Sequence, residues 1–368
     1  MSVDFDSILF LSFGGPDKPD DVRPFLENVT RGRGVPPERL DEVAQHYLHF
    51  GGVSPINELN LAMIESLRAE LASRAIDLPV YFGNRNWHPM VEDTVAQMYD
   101  AGHRRVLVFP TSAWGGYSGC AQYHEDIGRA LAALGDRAAG MVLRKLPQYW
   151  FESLFVDAAA DSVRRAAASL SGEFTPRLVF TAHSIPDAAD RNSGPSGADW
   201  ALTGLPASED GGRLYSGQVL ATAQRVAAAA SFGDFDQVWQ SRSGPPQIPW
   251  LEPDIVDHLE AIAAQGVRSV IVSPIGFVSD HLEVVWDLDN EAREKAAELG
   301  LEYVRADSVG TDPRFVAMAV DLIENYRSGE LPSEVPLGVG DNGTYCAGGK
   351  CCQAPARRPN PVRSASSS

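Results

Sequence analysis

The sequence predicts an α/β protein made of two doubly wound halves, each a parallel sheet covered by helices on both faces. Two patterns carry this expectation. Short apolar runs recur four times in each half, and they are continuous rather than alternating, which marks strands buried on both faces. Helix-patterned stretches separate them, as parallel crossovers require. A length of 368 residues accommodates two such units.

The first strand is Ile8–Phe13, and it runs into Gly14-Gly15-Pro16. Helical patterns follow at about 20–29, 37–49 and 57–75. Val80–Phe82 and Val106–Phe109 are the next strands, and Met141–Leu143 is a weaker fourth. The second half repeats the order with Leu178–Thr181, Gln237–Gln240, Val270–Val272 and Leu301–Val304. The sequence contains no close internal repeat, so likeness between the halves is architectural. The expected division is 1–145 and 146–330, with a helix at about 312–328 packing back on the first half and a tail over 331–368. Residues 193–212, rich in Gly, Ser and Pro, read as a flexible surface loop. Residues 354–368, rich in Pro, Arg and Ser, read as disordered.

Composition narrows the function. With 44% hydrophobic and 22% charged residues the chain is an ordinary soluble type. No apolar run approaches the roughly 20 residues of a membrane span. The N-terminal Met-Ser-Val-Asp-Phe-Asp lacks the basic and apolar regions of a secretory signal. The expectation is a cytoplasmic protein without an integral membrane segment. A net charge of −18 argues against nucleic acid as a partner. An anionic small ligand would need a local cluster of arginines or lysines.

The four cysteines are unevenly placed. Cys346, Cys351 and Cys352 lie close together near the C-terminus, and Cys120 sits far upstream in a Gly-rich stretch. Four thiolates complete a tetrahedral zinc site or a [2Fe–2S] cluster. Two disulfides or unrelated thiols are the alternatives, although adjacent cysteines do not readily bridge. Spacing alone leaves these open.

In open α/β folds ligands bind beyond the C-terminal ends of strands. Five polar segments fall there: Phe13–Pro16, Thr111–Cys120, His183–Pro186, Gln240–Pro245 and Ser273–Glu283. A lone histidine after a strand is usually structural, yet a neutral imidazole at a strand end suits both metal binding and proton transfer, which makes His183 a candidate. Glu283, Asp287 and Glu291 recur every fourth residue and form a stripe on one helix face. Such a stripe is either a solvated face or a line of hard oxygen ligands for a divalent cation. Trp286 and Phe277-Val278 suggest that Glu283 faces a partly dry cleft. Arg31, Arg33 and Arg85 are candidate carboxylate partners. Walker and H-E-x-x-H motifs are absent from the sequence.

Several long segments, in order, resemble the ferrochelatase family, whose members insert ferrous iron into a porphyrin. They are Leu11–Pro16, Gly51–Ile56, His183–Pro186, Gln240–Pro245, Trp250–Pro253 and Ser273–Glu283. The resemblance runs from about residue 7 to 328. It implies two Rossmann-like domains with a porphyrin cleft between them. It assigns His183 and Glu283 to iron and the pyrrole protons, Phe13 to the ring face, and Asp287 and Glu291 to an acidic route for iron. Phenylalanine at position 13 cannot ligate iron.

The resemblance is nearest the actinobacterial, coproporphyrin-dependent branch. That branch implies a [2Fe–2S] cluster on Cys120, Cys346, Cys351 and Cys352, and porphyrin contacts from Arg31, Arg33, Ser54, Arg85 and Tyr123. The implied partners are a porphyrin, ferrous iron as substrate and, transiently, other haem-pathway enzymes, with the protein a monomer. The competing readings are a protoporphyrin IX ferrochelatase, a cobalt or nickel tetrapyrrole chelatase, and a non-catalytic haem or porphyrin carrier with a redox-sensing cluster.

Overall fold

The computed structural model describes residues 4–327 apart from 33, 196–199, 201–202, 207–211 and 245–246. Its first half runs β1 (Ser7–Ser12), α1 (Pro19–Val29), α2 (Pro37–His49), α3 (Ile56–Ser73), β2 (Val80–Asn84), α4 (Val91–Asp100), β3 (Arg105–Pro110), α5 (Gln122–Leu134) and β4 (Val142–Lys145). The second runs α6 (Ser153–Ala168), β5 (Arg177–His183), α7 (Asp187–Arg191), α8 (Leu214–Ala229), β6 (Phe235–Gln240), α9 (Ile255–Ala264), β7 (Ser269–Ser273), α10 (Leu282–Val284), α11 (Ala292–Glu298), β8 (Glu302–Arg305) and α12 (Pro313–Arg327). All eight strands expected from the sequence form.

The sheets are four-stranded and wholly parallel, ordered β2-β1-β3-β4 and β6-β5-β7-β8. The halves therefore share one topology without sharing sequence. The strand order reverses between β1 and β3, and between β5 and β7, which puts a switch-point crevice beyond β1 in one half and beyond β5 in the other. Both central strands are buried along their length, apart from the partly buried ends of β5. That is why their apolar runs are continuous.

The largest hydrophobic cluster spans the two halves. Phe109 of β3, Tyr149, Phe155 of α6 and Phe315 of α12 pack ring against ring, with centroids 5.4 to 6.3 Å apart. α12 returns to the first half in this way, and Arg74 at the end of α3 binds Asp321 at 2.5 Å and Glu324 at 2.9 Å on its outer face. Within 193–212, expected as a surface loop, some of the described residues are not at the surface. Thr203 and Leu205 are buried, and Ser193 Oγ accepts the Leu214 N–H at 2.8 Å. Among the described residues no helix is long and apolar enough to cross a membrane.

Phe155 is 1% exposed at the centre of the aromatic junction. Phe155→Ala should cost about 3–5 kcal/mol of unfolding free energy, read from the denaturant midpoint. A loss below about 1 kcal/mol would mean that the junction does not hold the halves together.

Candidate active site

His183 ends β5, opposite Gln240 of β6. Its backbone is fixed from several directions. The Ser184 N–H donates to the Gln240 carbonyl at 2.7 Å, the Ser184 hydroxyl donates to the Leu251 carbonyl at 2.8 Å, and the Tyr215 hydroxyl donates to the His183 carbonyl at 2.9 Å. Nδ1 lies 2.5 Å from the Ser184 carbonyl. A carbonyl only accepts, so Nδ1 carries the proton and Nε2 faces outward. Nε2 is 3.5 Å from Glu283 Oε2. Burial pushes the imidazole pKa down, but the Glu283 hydrogen bond and charge, the Ser184 carbonyl and Asp287 outweigh it and raise the pKa above its ordinary value. Nearby His281 is lowered by burial, helped by His183 and opposed by Glu283.

Glu283 reaches this position through a close backbone crossing. The Gly276 N–H donates to the Thr181 carbonyl at 3.0 Å, and a Cβ on Gly276 would lie 2.5 Å from Ala182 Cβ. Trp114 Nε1 donates to the Gly276 carbonyl at 2.9 Å. From there the chain enters α10.

The acidic stripe does not lie on a regular α-helix. Between α10 and α11 the backbone winds as a π-helical turn, Val285–Glu291. Trp286 Nε1 reaches Glu291 Oε1 at 2.8 Å, five residues along. The three carboxylates occupy different surroundings. Glu283 keeps 47% of its side chain exposed and Glu291 is also exposed. Asp287 turns toward β6, where its carboxylate accepts from the Ser241 hydroxyl and, at 3.2 Å, from Gln240 Nε2. Burial first, then the charges of Glu283 and Glu291, push Asp287 up to about 7 against the opposing Ser241 bond and His183. Of the three Asp287 is the driest, and Glu283, expected to face a partly dry cleft, is half exposed.

The first half supplies the facing wall. Trp286 stacks on His46 at 3.9 Å, with His49 and Phe50 edge-on. Leu282 is buried among Phe25, Leu26 and Tyr47 of α1 and α2. Burial and then Glu283 raise the Tyr47 pKa. Phe13, just beyond β1, is exposed and stands edge-on to Phe25 at 6.4 Å. Ser54 is buried, its N–H on the Pro16 carbonyl at 2.8 Å, and it props the Gly14-Gly15 turn.

The candidate porphyrin contacts fall into two groups. Arg31 is exposed in the turn after α1. Arg85, expected as a candidate carboxylate partner, keeps only 10% of its side chain exposed. Its Nε bonds Asp126 at 2.6 Å, its Nη1 bonds Gln122 at 3.1 Å, and its guanidinium lies 4.5 Å over the Tyr123 ring. A cation taken out of water needs such a partner, and Asp126 on α5 supplies it; Arg85 Nη2 alone has no hydrogen-bond partner. Tyr123 is buried with its hydroxyl 3.3 Å from Thr111 Oγ1. Arg33 lies outside the described residues.

Cys120 is buried in a π-helical turn, Tyr117–Ala121, that leads into α5. Cys346, Cys351 and Cys352 lie outside the described residues. Among the described residues no group of three or more His, Cys, Asp or Glu converges on a metal-sized site. The Gln240–Ser241 contact with Asp287 was legible only as a polar strand end, and nothing in the sequence pointed to Tyr215.

A family model described as Ferrochelatase matches residues 6–327. A protein from Nocardia farcinica (strain IFM 10152) named coproporphyrin III ferrochelatase is 59% identical over 360 residues, covering 96% of this chain and 98% of that protein. One of the same name from Mycobacteroides abscessus is 59% identical over 355 residues, covering 95% and 98%. The solved structure of SirB from Bacillus subtilis with Fe3+ has a TM-score of 0.51 at 10% identity, covering 88% of this chain and 96% of that one. At that identity it supports the fold alone.

Asp287 titrates near 7 when folded, against about 3.9 in an unfolded chain. The native state therefore holds the extra proton between those values, and stability falls as pH rises through that window. Asp287→Asn should gain on the wild type across about pH 4–7, by up to about 4 kcal/mol, and run parallel to it outside. A difference in unfolding free energy that is flat with pH would contradict this environment.

Proposed function

Because the chain belongs to the ferrochelatase family, we propose that it inserts ferrous iron into coproporphyrin III, giving iron coproporphyrin III for haem biosynthesis. The observation that carries the reading is the His183–Glu283 pair, 3.5 Å apart at the switch point of the second sheet.

Insertion needs a porphyrin bent out of plane, so that pyrrole lone pairs and N–H groups point away from each other. A cleft complementary to the bent ring lowers the barrier. Two pyrrole protons must then leave as iron arrives. His183 is suited to take them one at a time, the first passing on through Glu283 before the second is accepted. Its Nδ1–H is anchored on Ser184, which leaves Nε2 free to accept, and Glu283 stabilises the imidazolium that forms. Glu283, half in solvent, is placed to present iron and to pass protons outward. Asp287 and Glu291 extend the acidic path, and Asp287, poised near neutrality, can hold or release a proton.

Phe13 offers the ring an apolar face and no axial oxygen. Arg31 and Arg33 are the cations for outer propionates. Arg85 stiffens the Tyr123 wall and keeps Nη2 available, while Ser54 holds the turn behind Phe13. This reading is that of a cytoplasmic monomer.

Cys120, Cys346, Cys351 and Cys352 would hold the [2Fe–2S] cluster. Their donor chemistry fits it, because all four are soft thiolates and Cys120 sits in a buried turn. When bound, the cluster would supply a covalent tie between the tail and the Cys120 turn.

In an anaerobic insertion assay coproporphyrin III should be preferred to protoporphyrin IX. Each charge-assisted contact to an added propionate is worth about 1.5–3 kcal/mol, or roughly ten- to hundredfold in kcat/KM. Equal efficiency for the two would sink the substrate assignment. His183→Ala should abolish nearly all insertion while porphyrin still binds; wild-type turnover would remove His183 from the mechanism.

The freshly purified protein should be reddish-brown, with about two irons and two sulfides per chain, and Cys120→Ser should bleach it. Stoichiometric zinc without sulfide would reject the cluster.

A further inference from the structure

α8 touches both the catalytic histidine and the stretch of chain that leads to Cys120. Its N-terminus is fixed by a buried cap. Asp190 accepts the Ser216 N–H at 3.1 Å and the Ser216 hydroxyl at 2.6 Å, and Ser193 Oγ accepts the Leu214 N–H. So anchored, the helix presents two buried polar side chains one turn apart. Tyr215 leans on Trp239, ring centroids 5.8 Å apart, and gives its hydroxyl hydrogen to the His183 carbonyl at 2.9 Å. Gln218 accepts the Gly115 N–H at 2.6 Å through Oε1. Gly115 packs closely on the helix, where a Cβ would lie 2.5 Å from Leu214 Cδ2.

The residue before Gly115 reaches the other wall, where Trp114 Nε1 holds the Gly276 carbonyl. The segment Trp114-Gly115 is therefore bonded, through Gly276, to the chain that leads to Glu283, and, through Gln218 and Tyr215, to the backbone of His183. Both residues of the pair are referenced to the same short stretch of the first half.

We propose that Tyr215 and Gln218 are positioning residues for His183, which set its distance to Glu283 by tying the end of β5 to the Trp114–Cys120 segment. The proposal rests on the reading of His183 as the proton acceptor. Neither side chain reaches the reacting atoms. The Tyr215 hydroxyl fixes the histidine backbone, so that the imidazole meets Glu283 without searching, and Gln218 fixes the helix that carries the hydroxyl. Misplacing a reacting group by a fraction of a hydrogen-bond length lowers turnover without weakening ground-state binding.

The test uses the full-length protein with 15N-labelled histidine, the His183 imidazole signal being identified by its loss in His183→Ala. Tyr215→Phe keeps the ring on Trp239 and removes only the hydroxyl. Gln218→Met keeps the volume and removes the acceptor. Each should shift the His183 imidazole resonances and lower kcat by about ten- to hundredfold, with KM for porphyrin and for ferrous iron within about twofold of wild type. In a His183→Ala background Tyr215→Phe should have no further effect on the residual rate, whereas a purely structural role would add its own loss. Unmoved imidazole resonances in a variant with wild-type thermal midpoint, or a shift without loss of kcat, would overturn the proposal. A wild type that inserts no iron would overturn the functional reading instead, and the imidazole shift would still decide whether the tyrosine positions the histidine.

Discussion

The site depends on how closely the segment leaving β7 can approach β5. At Gly276 the two backbones cross with no room for a side chain, and the Gly276 N–H closes the crossing on Thr181. His183 follows Ala182 directly, and the chain continues from Gly276 through a short turn to Glu283. The separation of His183 and Glu283 is therefore inherited from a backbone contact just beyond the sheet. A Cβ at Gly276 would meet Ala182 Cβ at 2.5 Å and Cα at 2.6 Å, so the chain leading to Glu283 could not keep this path.

The same geometry distributes the acidic groups unequally. A carboxylate in water is a good metal ligand but a poor proton store near neutrality; a desolvated one is the reverse. Glu283 sits between these limits, half exposed yet against an imidazole whose pKa it raises. Asp287 is turned from solvent onto Gln240 and Ser241, and Glu291 is outside. Under the proposed function, such a gradient would let iron meet charged oxygens at the surface while protons leaving the ring meet groups that can hold them. The first half contributes shape rather than charge here, through Phe13, Phe25, Tyr47 and the stacked His46.

Much of this was legible in the chain. The eight strands announced themselves because central parallel strands are apolar on both faces, and β4 was the faint one because its last residues, Arg144 and Lys145, are polar yet buried. His183 and Glu283 were legible from strand-end position and motif. The environments were not. A π-helical turn leaves the fourfold spacing of Glu283, Asp287 and Glu291 unchanged on paper, while it alters where each points. The desolvation of Asp287 comes from β6, and the neutralisation of Arg85 from Asp126 on α5; both partners are remote in sequence. The turn-rich residues after Ser193 looked like a free loop because composition reports local backbone preference and says nothing of the surface waiting to receive Thr203 and Leu205.

Under the proposed function Glu283 works with His183 on the reacting ring rather than merely guiding iron toward it. The most direct measurement is the insertion rate of Glu283→Gln as ferrous iron is raised to saturation. The rate should stay far below wild type however much iron is supplied, because the missing carboxylate acts after the metal has arrived. Recovery of the wild-type rate at saturating iron would contradict it and leave Glu283 as one more group on the route in.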